Sequence, residues 1–123
     1  NNLQGEVPTS LGNICTLKSL DLGGNNLSGE LPSFISNLHE LYLPDNLLSG
    51  SIPDGFGDTM NSLQVLDVSY NNLQGEVPTS LGNICTLKSL DLGGNNLSGE
   101  LPSFISNACD VHPLQTLSLQ GNR

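Results

Sequence analysis

Basic side chains are scarce in this 123-residue sequence: three Lys and Arg stand against twelve Asp and Glu, a formal net charge of −9. Phosphate contacts need Lys or Arg. With only Lys18, Lys88 and Arg123 available, a nucleic-acid partner is excluded. Aromatics are few, with no Trp, two Tyr and three Phe, so large rings cannot make up the core. No apolar run reaches the roughly 18 residues of a membrane span, and no membrane contact is expected of this segment. The opening Asn1-Asn2-Leu3-Gln4-Gly5 has neither the basic region nor the apolar stretch of a signal peptide. The sole Met is Met60, so the chain reads as an internal piece of something longer. What is abundant is a narrow set: 24 Leu, 15 Asn, 15 Ser and 14 Gly. Such Leu content argues against disorder and for a repeat.

Self-similarity is immediate. Residues 1–37 recur unchanged as 71–107. Recent unequal exchange of three repeats and a duplicated assembly both produce this, and sequencing the gene across residues 1–123 tells them apart. Inside the block lies a shorter string, Leu-x-x-Leu-x-Leu-x-x-Asn. It occurs at Leu17–Asn25, Leu38–Asn46, Leu63–Asn71 (with Val68 for the third Leu), Leu87–Asn95 and Leu114–Asn122. Counting from Asn1, the Asn residues are 24, 21, 25, 24 and 27 positions apart. After every one of these Asn except Asn122 follows Leu-x-Gly-x-φ-Pro, where φ is Val, Leu or Ile, as in Leu27-Ser28-Gly29-Glu30-Leu31-Pro32.

This spacing has a physical reading. Apolar residues at alternate positions, as in Leu20-x-Leu22, make a short strand with one buried face. Copies stacked about 4.8 Å apart pair in parallel, and their Leu rows merge into one core. A buried Asn must satisfy its amide, and the neighbouring coil's backbone is at hand. A ladder of Asn25, Asn46, Asn71, Asn95 and Asn122 is therefore expected. Gly permits close approach on the return stroke, and Pro starts a short turn or 3₁₀ segment. The turn between Pro32 and Leu38 is three residues short, so Leu38 is expected to serve two core positions. The turn between Pro102 and Leu114 is longer by three residues, and Asn107–Pro113 is expected to bulge outward.

These strings closely resemble the plant-type extracellular leucine-rich repeat, with Gly-x-φ-Pro as the discriminating element. Strings such as Ile52-Pro53-Asp54-Gly55-Phe56-Gly57 and Gly82-Asn83-Ile84-Cys85-Thr86-Leu87 look like ectodomains of disease-resistance-type receptor-like proteins and receptor-like kinases. The resemblance implies an α/β-class solenoid, a right-handed β/3₁₀ superhelix. Its concave parallel sheet would have about five short strands, with little true α-helix. Residues 1–123 would be one array of about five repeats without caps. Such a piece, alone, is expected to associate or unfold. The implied function is recognition of a protein or peptide ligand outside the plasma membrane, with a co-receptor kinase, in defence or development. A secreted polygalacturonase inhibitor uses the same repeat and is the alternative. A fragment without independent function is the third reading.

No catalytic motif is found. Gly55-Phe56-Gly57 begins like a Gly-rich loop but has Met60 where the third Gly belongs. No Ser/His/Asp set has supporting context. Cys109-Asp110-Val111-His112 holds ligand-type residues, but a structural zinc site needs four and no second cluster exists. Neither metal nor cofactor is expected. Cys15 and Cys85 lie three coils apart, roughly 14 Å at the stacking distance above, too far to pair. Cys85 and Cys109 each follow an Asn by two residues in adjacent coils. A small apolar filler is the preferred role for these two, with a bridge between them as the alternative. Asn26-Leu27-Ser28 and Asn96-Leu97-Ser98 are glycosylation sequons.

Strand residues facing away from the core are the candidate ligand contacts. They are Lys18 and Asp21; His39, Glu40, Tyr42 and Asp45; Gln64, Asp67 and Tyr70; Lys88 and Asp91; and Gln115. Across coils, Asp21, Tyr42, Asp67, Asp91 and Ser118 should form one column, welcoming to a cation. Tyr42 and Tyr70 are expected on adjacent coils as an aromatic anchor. A second acidic column, Glu6, Glu30, Glu76 and Glu100, reads as a solubilising stripe.

Overall fold

The computed structural model describes residues 2–101, 109, 111 and 113–122. Ten short strands alternate along it: β1 (Gln4–Glu6), β2 (Ser19–Asp21), β3 (Asn26–Ser28), β4 (Glu40–Tyr42), β5 (Ser49–Ser51), β6 (Val65–Asp67), β7 (Asn72–Glu76), β8 (Ser89–Asp91), β9 (Asn96–Ser98) and β10 (Thr116–Ser118). The even-numbered strands form one five-stranded sheet in the order β10-β8-β6-β4-β2. All of its pairs are parallel and in step, with Leu20, Leu41, Leu66, Leu90 and Leu117 facing one another in turn. Pairing in step puts this row of Leu on one face of every strand, because a slip of one residue would turn it outward. The expected solenoid and its parallel sheet are therefore what the chain builds.

Strands β1 and β3 pair, as do β5, β7 and β9, also in parallel. This second pairing was not legible in the sequence, because Gly and Pro read as return-stroke punctuation. Its register is staggered: Gly50 faces Leu73 and Gly75 faces Leu97, two positions off the Asn alignment. Left-handed glycines make the staggered path possible, with φ of +83° at Gly29, +76° at Gly50 and +81° at Gly75.

Between the sheets lies a continuous apolar core. Leu38, Leu41, Leu43, Leu66, Leu87 and Leu92 are fully buried, as are Phe56 and Met60. The Asn ladder seals one side of it. Asn71 Oδ1 accepts from the Leu48 N–H at 3.0 Å, and its Nδ2 donates to Leu43 O at 2.9 Å in the preceding coil and Val68 O at 3.1 Å in its own. Asn46 and Asn95 repeat the pattern one coil back and one coil on. Asn25 accepts from Leu3 N–H and donates to Leu22 O, and Asn122 donates to Leu92 O and Leu119 O. Each strand-end carbonyl, such as Val68 O, thus receives two successive Asn side chains.

The return side varies from coil to coil. Thr9–Asn13 and Thr79–Asn83 form 3₁₀ turns after Pro8 and Pro78. Phe56–Thr59 makes the one α-helical turn among the described residues. The shortened segment after Pro32 has no helical turn, yet both Ile35 and Leu38 are buried. A cavity of about 420 Å³ lined by Val7, Glu30, Pro32 and Phe34 opens beside it. The bulge expected at Asn107–Pro113 falls outside the described residues except at Cys109, Val111 and Pro113.

Cys85 and Cys109 are joined by a disulfide, with Cα atoms 5.5 Å apart. The filler role preferred from the sequence fits neither residue. The partner comes from the next coil. Cys15 is an exposed free thiol. Replacing Cys109 with Ser should lower stability by about 3 kcal/mol, the closure entropy of a loop this long. The difference between wild-type and variant urea midpoints, and its disappearance in reductant, measures this.

Candidate functional site

The five-stranded sheet presents its outward side chains in rows. Lys18, His39, Gln64, Lys88 and Gln115 share the first row. Their backbones are chained by hydrogen bonds, with His39 N–H to Lys18 O at 2.8 Å and Lys88 N–H to Gln64 O at 2.7 Å. Glu40 lies in the next row, paired with Ser19 and Val65. Asp21, Tyr42, Asp67, Asp91 and Ser118 make the third row, in the register expected for the acidic column.

The carboxylates of that column have a structural task that the sequence reading missed. Asp21 Oδ1 accepts from Gly23 N–H, Asp67 Oδ1 from Ser69 N–H, and Asp91 Oδ1 from Gly93 N–H, at 3.1, 3.0 and 2.9 Å. Ser69 Oγ also donates to Asp67 Oδ1 at 2.7 Å. Each Asp therefore closes an Asx turn where the strand ends. The Asp-x-Gly and Asp-x-Ser spacing was the available signal. Fixing one oxygen holds the carboxylate in a single orientation on the sheet face.

Tyr42 replaces Asp in this column, flanked by Asp21 and Asp67. Partial burial and then the negative charge of Glu40, Asp21 and Asp67 raise its hydroxyl above the ordinary tyrosine value. The phenol remains a neutral donor at physiological pH, set among carboxylates that repel its anion.

Residues just before the ladder Asn all adopt left-handed backbone: Gly24, Asp45, Tyr70, Gly94 and Gly121, with φ of +70°, +55°, +55°, +66° and +77°. Three are Gly, as this geometry favours. Asp45 and Tyr70 are held there despite their Cβ atoms, which costs about 1–2 kcal/mol each. Tyr70 is also 65% exposed. A strained, exposed aromatic is a functional signal, and the Gly column could have exposed it in the sequence. The Tyr70 ring leans over Gly94 of the following coil, close to where a Cβ would stand. It thus points away from the coil of Tyr42, and the two rings sit in different rows.

Elsewhere, Glu6, Glu30, Glu76 and Glu100 are all exposed. Asp110 and His112 lie outside the described residues. No helix among the described residues is long and apolar enough to cross a membrane.

A family model described as leucine rich repeat matches residues 36–97, and a second with the same description matches residues 16–38. Pollen receptor-like kinase 2 of Arabidopsis thaliana is 43% identical over 56 residues, covering 46% of this chain and 9% of that protein. The chain thus spans less than a tenth of that relative. Among solved structures, the PEPR1-AtPEP1 crystal structure is similar over 100% of this chain and 17% of that one, with TM-score 0.88 and 37% identity. The Arabidopsis receptor kinase HAESA, in complex with the peptide hormone IDA and the co-receptor SERK1, matches 93% of this chain and 24% of that one. Its TM-score is 0.79 at 31% identity.

Proposed function

Because this chain belongs to the leucine-rich-repeat family, we propose that it is a recognition segment in the extracellular domain of a plant receptor-like kinase or receptor-like protein. Residues 1–123 supply about five coils of one longer array. The segment binds a peptide or protein ligand on its five-stranded sheet, and a co-receptor kinase completes the signalling complex in defence or development. The observation carrying this reading is the unbroken register of Asp21, Tyr42, Asp67 and Asp91 across neighbouring strands. Likeness to an ectodomain solved with a peptide hormone and a co-receptor supports it. Catalysis has no place in the reading.

The ligand side facing this row should carry positive charge. Random peptides panned on the full chain, tethered to a yeast surface, should enrich Lys- or Arg-containing sequences. Two variants keep the fold while changing the face. Asp67→Asn with Asp91→Asn preserves the Asx-turn acceptor but removes charge, and Tyr70→Gly adopts the residue that three other coils use. Each should weaken the enriched peptides about ten-fold, the scale of one interface hot spot. Peptides that bind both variants as well as wild type would place the ligand elsewhere.

A further inference from the structure

The return side of the array is uneven. The first coil carries the 3₁₀ turn Thr9–Asn13 and the third the helical turn Phe56–Thr59, while the shortened second coil has neither. Its thin return leaves the cavity of about 420 Å³ between thicker neighbours. All three coils bound it: Val7 from the first, Pro32 and Phe34 from the second, and Pro53 from the third. Phe34 is backed onto the first coil, since a Cβ on Gly12 would stand 2.6 Å from Phe34 O and 3.4 Å from its Cδ1. The charged residues lining the cavity are Glu6 and Glu30, both acidic. Glu6 reaches across Gly29, where a Cβ would stand 2.7 Å from Glu6 Cγ, and Glu30 Cγ lies 3.7 Å from the Cβ position of Gly50. Each Glu side chain is thus laid over the coil that follows, instead of standing straight out to solvent.

We propose that this cavity is a second binding site, which takes an arginine side chain of a protein partner on the return side of the array. It is separate from the five-stranded sheet, so it stands whether or not that sheet binds a peptide.

Charge and shape together select this occupant. The apolar walls at Val7, Pro32, Phe34 and Pro53 suit the stem of a long basic side chain, which buries its methylenes and keeps its head at the carboxylates. A guanidinium presents a planar fork of N–H donors that pairs with carboxylates and stacks on aromatic rings. A lysine ammonium is more strongly hydrated and gains less from such walls. An acidic side chain would meet two like charges. The volume lies near the lower end of the roughly 300–1,000 Å³ of ligand sites, which fits a side chain and leaves no room for a folded segment. The Glu column thus divides by what surrounds it, and Glu6 and Glu30 serve the cavity.

The test uses the full chain tethered to a yeast surface. Exposed carboxylates pair weakly, so the probe is multivalent. It is the peptide Gly-Gly-Arg-Leu-amide, biotinylated at its N-terminus and loaded on fluorescent streptavidin. The same peptide with citrulline for arginine keeps the shape and removes the charge. The arginine probe should bind with a midpoint about five-fold lower than the citrulline probe, and Glu6→Gln with Glu30→Gln should abolish that advantage. Ser33→Tyr fills the cavity without altering a charge and should abolish it as well. Asp67→Asn with Asp91→Asn removes as many charges from the sheet and should leave it intact. Protease resistance equal to wild type shows that the displayed variants fold. No preference for arginine in the wild type would overturn the proposal. A preference that survives in Ser33→Tyr would mean attraction to surface charge alone, and would overturn it too. Loss in the Asp variant but not in the Glu variant would place the arginine on the sheet, refuting this site while supporting the reading above.

Discussion

Gly57→Ala should destabilise the chain by about 3 kcal/mol or more, the largest effect of any single methyl group added to it. An added Cβ would stand 1.8 Å from Ser80 O and 2.4 Å from the Ser80 carbonyl carbon. Both are backbone atoms of the next coil, so no side chain can rotate away. Overpacking of a tight contact costs about 1–3 kcal/mol and sometimes more. Separation of the coils would also stretch the 3.0 Å bond from Gly57 N–H to Ser80 Oγ, a buried pair whose loss adds about 1–3 kcal/mol. Thermal unfolding of the variant should show the fall. Gly55→Ala is the control, because nothing stands within 4 Å of its added Cβ. Equal midpoints for the two variants would mean that the coils slide apart freely.

The second large effect is expected at Asn71. Removing its amide in Asn71→Ala orphans the Leu48 N–H and takes a donor from Leu43 O and Val68 O. An unsatisfied buried donor costs about 1–3 kcal/mol and each lost bond about 1, so a loss of about 3 kcal/mol is expected. Asn71→Asp separates hydrogen bonding from shape. Its carboxylate still accepts from Leu48 but turns a second oxygen toward carbonyls that need a donor. Those carbonyls raise the folded-state pKa of the introduced acid, so its proton is held more tightly folded than unfolded. The stability that this proton supplies is present below the unfolded value and lost as pH rises through the folded one. Asn71→Asp should therefore be less stable than Asn71→Ala at pH 7 and recover on acidification. Denaturation of both variants at pH 4 and pH 7 measures this, and a pH-independent difference would contradict the donor role.

These two positions differ in how far the sequence announced them. Asn71 was visible because its environment recurs: any Asn ending the Leu string meets the same carbonyls one coil back. The sheet register was visible for the same reason. Gly57 was invisible, since Gly55-Phe56-Gly57 occurs once and its neighbour is a 3₁₀ turn more than twenty residues on. The second pairing of odd-numbered strands was also hidden. Its two-residue stagger follows from how the coils rotate on one another, which no single repeat encodes. The acidic column lay midway. Its register followed from periodicity, while the Asx turns that fix Asp21, Asp67 and Asp91 needed the strand ends to be known.

The exact duplication separates the two kinds of information. Thr9–Asn13 and Thr79–Asn83 have one sequence, and both become 3₁₀ turns after Pro. The first has no buried residue, whereas Ser80, Leu81 and Gly82 are buried in the second. Cys15 is free and exposed while its copy Cys85 is bridged to Cys109. Local conformation, strand positions and the Asn ladder depend on distances within a coil and its identical neighbours, so the sequence determined them alone. Burial and covalent pairing depend on what the adjacent coil brings to the same place. The Phe56–Thr59 turn packs beside Ser80, and Cys109 rather than another side chain meets Cys85. Only the tertiary structure decided those, because neighbouring coils of unequal length place different groups against one and the same string.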